Sequence, residues 1–291
     1  MPAFKYRILD AFTRTQFAGN SAGVFVLASA LPTRTLQLIA REINVSETSF
    51  ILPADEENTF ELRWFTPAVE VALCGHATLA AARVLDLPRA VFRTLSGELV
   101  AVRTGDGTFE LEFPACEKLV AASQEVHLRV TEAVKNALKL DTAPKIKYIG
   151  TGVGEAFRYS VLVHMNDGFD LGGQPVNPDA FSILAASDDL RRIILTNRAP
   201  AGSGKDIRSR VFAPTRGIPE DPVTGSAHCM LAPYWVELLG KGDTLRALQV
   251  SLRGGELDAE WVRDAGRVKL RGAVVETMQG EMYVPNDLVG E

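Results

Sequence analysis

A chain of 291 residues is long enough for one large domain or two of ordinary size. Its 46% hydrophobic and 23% charged residues are those of a globular protein with a full core, and a net charge of -5 without any Lys/Arg run excludes the usual nucleic-acid binder. No apolar run is long enough to span a bilayer, the start MPAFKYRILDAF has no signal-peptide pattern, and three widely spaced cysteines (Cys74, Cys116, Cys229) read as free thiols, so a cytoplasmic protein is expected.

Phe4 to Asp10 alternates as a strand does, Val24 to Leu27 reads as a second, and the loop composition of Phe17 to Gly23 separates them. Thr33 is placed to cap a helix in which Leu36, Ile39, Ala40 and Ile43 recur at helical spacing. Asn44 to Leu52 reads as a strand carrying Glu47 between Ser46 and Thr48, and Glu61 to Phe65 as another. Then comes WFTPAVEVALCGHATLAAARVL. Its run Ala77 to Leu85, apolar on nearly every side, belongs inside a domain. The strand pattern continues at Val91–Arg93, Glu98–Arg103 and Phe109–Phe113, and Val126 to Leu138 predicts a linking helix.

From there the pattern restarts. Lys145 to Gly150 and Tyr159 to His164 predict strands, Pro178 to Ala186 a helix, and Arg192 to Asn197 and Arg210 to Ala213 further strands. A second apolar helix runs to Gly240, a good stop, with Pro233 inside it as a predicted kink. Gly254–Leu257 and Gly266–Thr277 are strand-like. WFTP…CGHATLAAARVL answers VFAP…TGSAHCMLAPYWVELL, and Ser96-Gly97-Glu98-Leu99 answers Gly254-Gly255-Glu256-Leu257, with an insertion in the second half that is read as containing Asp221. Two large copies imply a pseudo-symmetric pair of domains. The first amides of a helix lack internal partners and attract anions. The two glycine-led helix starts are therefore expected to hold one carboxylate jointly.

Glu47, among small polar neighbours on a strand, could be a general acid/base with a pKa raised by partial burial, or simply a solvent-facing residue. His76 follows Gly75 at the positive end of a helix, which disfavours its imidazolium, so a neutral proton relay is expected; the plain alternative is a histidine bonded to a nearby loop. Asp221 precedes Pro222 and reads equally as a turn residue. Ser226 matches His76 and is either a helix cap or a substrate contact. Cys74 matches Thr224, whose hydroxyl is too weak an acid for two-thiol racemisation, and Cys74 also suits a small buried site. Gly202–Asp206 lacks the spacing of a phosphate loop, and the four His and three Cys show no metal-ligand spacing, so no metal and no cofactor are expected.

WFTPAVEVALCGHATLAAARVL with FAPTRGIPEDPVTGSAH, together with the GNSAG loop, the SET strand and the closing GGEL and GRVKLRG strands, closely resembles the PhzF-like family of phenazine-biosynthesis proteins. The resemblance implies an α+β, diaminopimelate-epimerase-like fold: two pseudo-symmetric domains, each a strand-rich barrel around a central helix. The expected boundaries are 1–122 and 123–278, with a C-terminal strand at about 279–291 returning to the first domain. It implies a cofactor-independent isomerase, usually a homodimer, shifting a proton on a small carboxylic acid. Glu47 would carry the proton, with His76 and Asp221 as further catalytic residues. Gly75, Gly225 and Ser226 would surround the substrate, with Asn20 and Ser21 of the GNSAG loop nearby. Many members have Pro where Ser21 stands, so the substrate could differ. A racemase or epimerase using Cys74, or a binding protein without catalysis, are the alternatives.

Overall fold

The structure is a computed structural model and describes residues 1–290. It falls into two compact units. Unit 1 holds Met1–Glu112 and the chain from Leu270 on, and unit 2 holds Phe113–Lys269.

In unit 1, β1 (Ala3–Ala11) pairs antiparallel with β2 (Asn20–Val26), and β2 pairs in parallel with β3 (Glu47–Pro53). Next, β3 pairs antiparallel with β4 (Thr59–Phe65), on which the two-residue β5 (Glu70–Val71) folds back. Then β4 pairs in parallel with β6 (Arg89–Thr94), β6 antiparallel with β7 (Gly97–Arg103), and β7 with β8 (Phe109–Pro114). Helix α1 (Thr33–Ile43) joins β2 to β3 and packs outside them on Phe25, Phe50 and Phe65. Asn44 ends it in a left-handed conformation that asparagine tolerates, and the turn delivers Glu47 to the start of β3. Helix α2 (Gly75–Leu85) meets β1, β2, β3 and β7. Its small, fully buried residues Ala77, Ala80 and Ala81 let strands approach on all sides.

In unit 2, β9 (Leu119–Ala121) pairs with β10 (Ile146–Gly152), which fixes that stretch to the unit that begins at Phe113. Helix α3 (Gln124–Ala137) separates these strands. Strand β10 pairs antiparallel with β11 (Ser160–Met165), and β11 in parallel with β12 (Arg192–Arg198). Strand β12 pairs antiparallel with β13 (Ile207–Ala213), on which β14 (Ile218–Asp221) folds back. Finally β13 pairs in parallel with β15 (Thr244–Gln249), and β15 antiparallel with β16 (Gly255–Val262). A short 3-10 turn (Pro178–Phe181) and α4 (Ser182–Asp188) take the place of α1, and α5 (Gly225–Leu239) that of α2. The chain re-enters unit 1 within β17 (Arg267–Gly272) and adds β18 (Val274–Tyr283) antiparallel to β1, followed by α6 (Asn286–Val289). The returning strand thus starts at Val274, ahead of residue 279.

The internal repeat is therefore a repeat of pairing order. Antiparallel, parallel, antiparallel, parallel, antiparallel is the sequence in both units, with a short hairpin strand after the fourth member. Matched phenylalanines confirm the frame: Phe65 packs edge-on to Phe50 beneath α1, and Phe212 packs on Phe181 beneath the outer turn of unit 2.

Three local expectations are corrected. The cap of α1 is Pro32, whose φ of -56° suits the entry, and the Thr33 hydroxyl instead accepts from Arg63 Nη2 at 3.0 Å. Asp221 is not part of the insertion. It pairs with Val211 as Val71 pairs with Trp64, and both precede a helix-opening glycine by the same spacing. The extra residues occupy the turn around Pro214–Arg216. Strand β15 was not read from the sequence, because its alternation of Leu245 and Ala247 with polar residues is short.

Candidate active site

In unit 1 the site is built where β3 begins and α2 begins. Ser46 donates to the buried Asn20 Oδ1 at 3.0 Å, and Ala22 stands opposite Glu47 in the parallel ladder. Two residues on, Ser49 donates to the carbonyl of Ala77 at 3.0 Å, tying β3 to the first turn of α2. These anchors bring Glu47 Oε2 to 3.1 Å from His76 Nε2, with only 12% and 9% of the two side chains exposed. The approach has the distance of an ion pair without the alignment of a hydrogen bond. On the other side of the ring, Cys74 Sγ lies 3.5 Å from Nδ1.

Burial by itself would push His76 towards the neutral form. The partners on either side, the Cys74 sulfur that can accept from Nδ1 and the Glu47 carboxyl group beside Nε2, oppose it and raise the imidazole pKa well above its usual value. The direction of this shift runs opposite to the one expected from the helix end alone. Burial first, and the Glu47 charge next, raise the Cys74 thiol, so Cys74 is protonated at neutral pH. The donor atoms of Glu47, Cys74 and His76 lie within 4.8 Å of one another, close enough for a metal's ligands. The arrangement suits proton traffic.

Cys74 is extended and gives α2 no side-chain cap, so the amides of Gly75 and His76 head the helix without one. Asn20 and Ser21 lie at the same end of the sheet. The Asn20 side chain serves Ser46, and Ser21 donates to Asp10 Oδ1 at 2.5 Å while Asp10 Oδ2 accepts from the Phe17 amide. Gly19 makes that loop possible, since a Cβ there would stand 2.2 Å from the Ala11 carbonyl.

In unit 2 the turn before α5 is held by a buried amide that the sequence did not single out. Gln249 accepts from the Thr224 amide at 3.0 Å and donates to the Asp221 carbonyl at 2.6 Å. Thr224 Oγ1 donates to Asp221 Oδ2 at 2.6 Å. Only the folded chain brings Gln249 to this turn, because nothing in QVSLRGGEL marks it. The exposed Ser226, second residue of α5, accepts from Arg192 Nη1 at 2.7 Å, so Ser226 is not the helix cap; that position is Thr224, again without a side-chain cap bond. Also in unit 2, a cavity of about 340 Å³ between Lys147, His164, Asp167, Arg198 and Tyr234 contains none of the candidate residues.

The profile of the phenazine biosynthesis-like protein family matches residues 9–280. A mouse protein named phenazine biosynthesis-like domain-containing protein 2 is 40% identical over 94% of this chain and 97% of its own. A Pseudomonas aeruginosa protein named an uncharacterized isomerase is 39% identical over 96% of this chain and 98% of its own. The crystal structure of a PhzF-family phenazine biosynthesis protein from Enterococcus faecalis superposes with a TM-score of 0.81 at 34% identity, covering 97% of this chain and 100% of that one. The α+β architecture is thus the diaminopimelate-epimerase-like one that the sequence motifs imply. On these grounds the chain belongs to the PhzF family of phenazine biosynthesis-like proteins.

Proposed function

We propose that this protein is a cofactor-independent isomerase that moves a proton between carbons of a small carboxylic acid. The observation that carries the reading is the Glu47–His76 contact at 3.1 Å, a carboxyl group beside an imidazole at the uncapped start of a buried helix. Glu47 takes a proton from a carbon next to the carboxylate or conjugated with it, and the electron pair passes into the carboxylate system. The same proton, or one from solvent, returns to a different carbon, so nothing is oxidised or reduced. His76 holds Glu47 in place and balances its charge; Asp221 serves from the second motif. In unit 1 the amide of Gly75, and in unit 2 the amide of Gly225 with Ser226, are each suited to bind an anionic group of a substrate. Asn20 and Ser21 shape the loop beside Glu47. The name of the Pseudomonas relative supports an isomerase, and the proposal includes a cytoplasmic homodimer.

The test is incubation with a panel of unsaturated and α-substituted small acids in deuterated water, followed by proton NMR. The expected result is a positional isomer, or deuterium at carbon, formed by the wild type and lost in Glu47→Gln. Exchange at the wild-type rate in that variant would refute the assignment. A second reading, racemisation through Cys74, is favoured by its contact with His76 Nδ1. Substrate-protected inactivation on alkylating Cys74 would select it.

A further inference from the structure

The repeat frame assigns a counterpart to Glu47. Ala22 pairs with Glu47 at the start of the β2–β3 ladder, and Ser160 pairs with Arg192 at the start of the β11–β12 ladder. One step on, Thr48 faces Phe65 and Ile193 faces Phe212, the matched phenylalanines. Arg192 is therefore to unit 2 what Glu47 is to unit 1. Its partner corresponds too: Glu47 contacts His76, second residue of α2, and Arg192 donates to Ser226, second residue of α5, at 2.7 Å. The same framework position carries a carboxylate in one unit and a guanidinium in the other.

That guanidinium is set for an anion. Nε donates to Ser160 at 2.8 Å and Nη1 to Ser226, which orients the plane. Nη2 is shut off from solvent and, among the described residues, has no hydrogen-bond partner. A buried donor left unmade is costly, and a helix start adds positive potential beside it. Burial first, and the charge of Arg216 next, bring Arg192 down to about 10, so it keeps its charge at neutral pH while repelled by a like charge. A carboxylate at the start of α5 would meet the exposed Ser226 hydroxyl and the first amides of α5, with the Arg192 guanidinium held directly behind Ser226 by its Nη1 contact.

We propose that Arg192, bridged to Ser226, is a substrate-binding residue that receives a carboxylate at the start of α5 and makes the protein select acids over their neutral amides. This rests on the isomerase reading for the identity of the ligand as substrate, and not for the binding itself.

The test uses acetate and benzoate, each beside its neutral amide, titrated into the full-length protein labelled with nitrogen-15. The side-chain signal of Arg192, identified by its loss in Arg192→Lys, and the backbone amides of Gly225 and Ser226 are followed. Carboxylates are expected to shift all three and the amides to leave them in place. Carboxylate affinity read at Gly225 and Ser226 is expected to fall about tenfold in Arg192→Gln, the effect of one charge-assisted contact, and to be largely kept in Arg192→Lys. No response to either carboxylate, an equal response to the amides, or undiminished affinity in a folded Arg192→Gln protein overturns the proposal. The wild-type comparison of acid with amide decides even where Arg192→Gln does not fold. Because no turnover is involved, anion binding at Arg192 without proton exchange on any acid would sink the isomerase reading alone.

Discussion

Glu47 Oε2 stands 3.1 Å from His76 Nε2, and Glu47 is, with Cys74, one of the two neighbours that raise the His76 pKa against burial. The carboxylate is the proton carrier of the proposed reaction, so Glu47→Gln is expected to lower turnover by about 10²–10⁴-fold while leaving affinity for the acid within a few-fold. Initial rates and titration of the same acid into both proteins check the two halves of this statement. A loss confined to affinity would make Glu47 a binding group.

The same contact predicts a titration. His76 is raised well above its usual value, against the opposing effect of burial, so its imidazole nitrogens should still report the charged form at pH 7 in nitrogen-15 NMR. Removing the carboxylate in Glu47→Gln removes one of the two stabilising partners, and the His76 pKa should fall. A folded-state pKa above the unfolded one contributes stability below about pH 6.5 that is lost as pH rises through the folded value. Stability at mildly alkaline pH should therefore decline more in the wild type than in His76→Gln. An unchanged His76 titration in Glu47→Gln would show that the contact does not govern its charge.

Cys74 offers a sharper separation. Burial and the Glu47 charge raise its thiol, so iodoacetamide should react with it slowly at pH 7 compared with a free cysteine, and Cys74→Ala should keep turnover within a few-fold. A variant that binds acids and has lost all proton exchange would instead make the thiol an acid/base partner. Mass spectrometry of the labelled peptide and the exchange assay read the two outcomes.

How much of this was legible beforehand depends on the kind of interaction. The two buried helices were legible because an all-round apolar run after a glycine has few other uses, and the SET strand because Asn44 and the small residues punctuate it. The meeting of Glu47 with His76 was not, since it depends on the ladder register that sets Ala22 against Glu47 and on the Ser49–Ala77 bond. For that reason the direction of the His76 shift was not foreseen: the helix end is a local feature, whereas the Glu47 carboxyl group, which joins Cys74 in raising the pKa, comes from another element. Arg192 was passed over for the same cause, because its correspondence to Glu47 lives in strand pairing and not in any shared letters. The position of Asp221 was obscured by the longer hairpin turn ahead of it.

Gln249 gives a prediction about scaffolding. Its fully buried amide holds the Thr224 amide and the Asp221 carbonyl, so Gln249→Ala leaves a buried donor and acceptor unpaired in the turn that leads into α5. The expected cost is about 2–4 kcal/mol in denaturant unfolding. Carboxylate binding at the α5 start should weaken as the turn loosens, even where the variant remains folded. Gln249→Glu should be only partly tolerated, since the acceptor contact with the Thr224 amide survives while the donor contact to Asp221 becomes a repulsion. Equal stability for wild type and Gln249→Ala would show that water replaces the side chain without penalty.

The last prediction concerns acid. His228 is fully buried inside α5, with Nδ1 set 2.8 Å from the Thr224 carbonyl and Nε2 without a partner among the described residues. Burial drives it down to about 4, against the weaker opposing pull of that carbonyl. It is neutral in the folded protein across conditions in which an unfolded histidine, near 6.5, takes up a proton. The unfolded state then binds more protons than the folded one, so stability falls as pH drops from about 6.5 towards 4, by about 3 kcal/mol in all. Replacing the ring by His228→Asn keeps a donor for the Thr224 carbonyl and removes the titration. That variant should lose stability at neutral pH, because it leaves space in a packed helix, while its stability should change little between pH 6.5 and 4.5. Urea unfolding at a series of pH values compares the slopes directly, and equal slopes in the two proteins would assign the acid sensitivity to other groups.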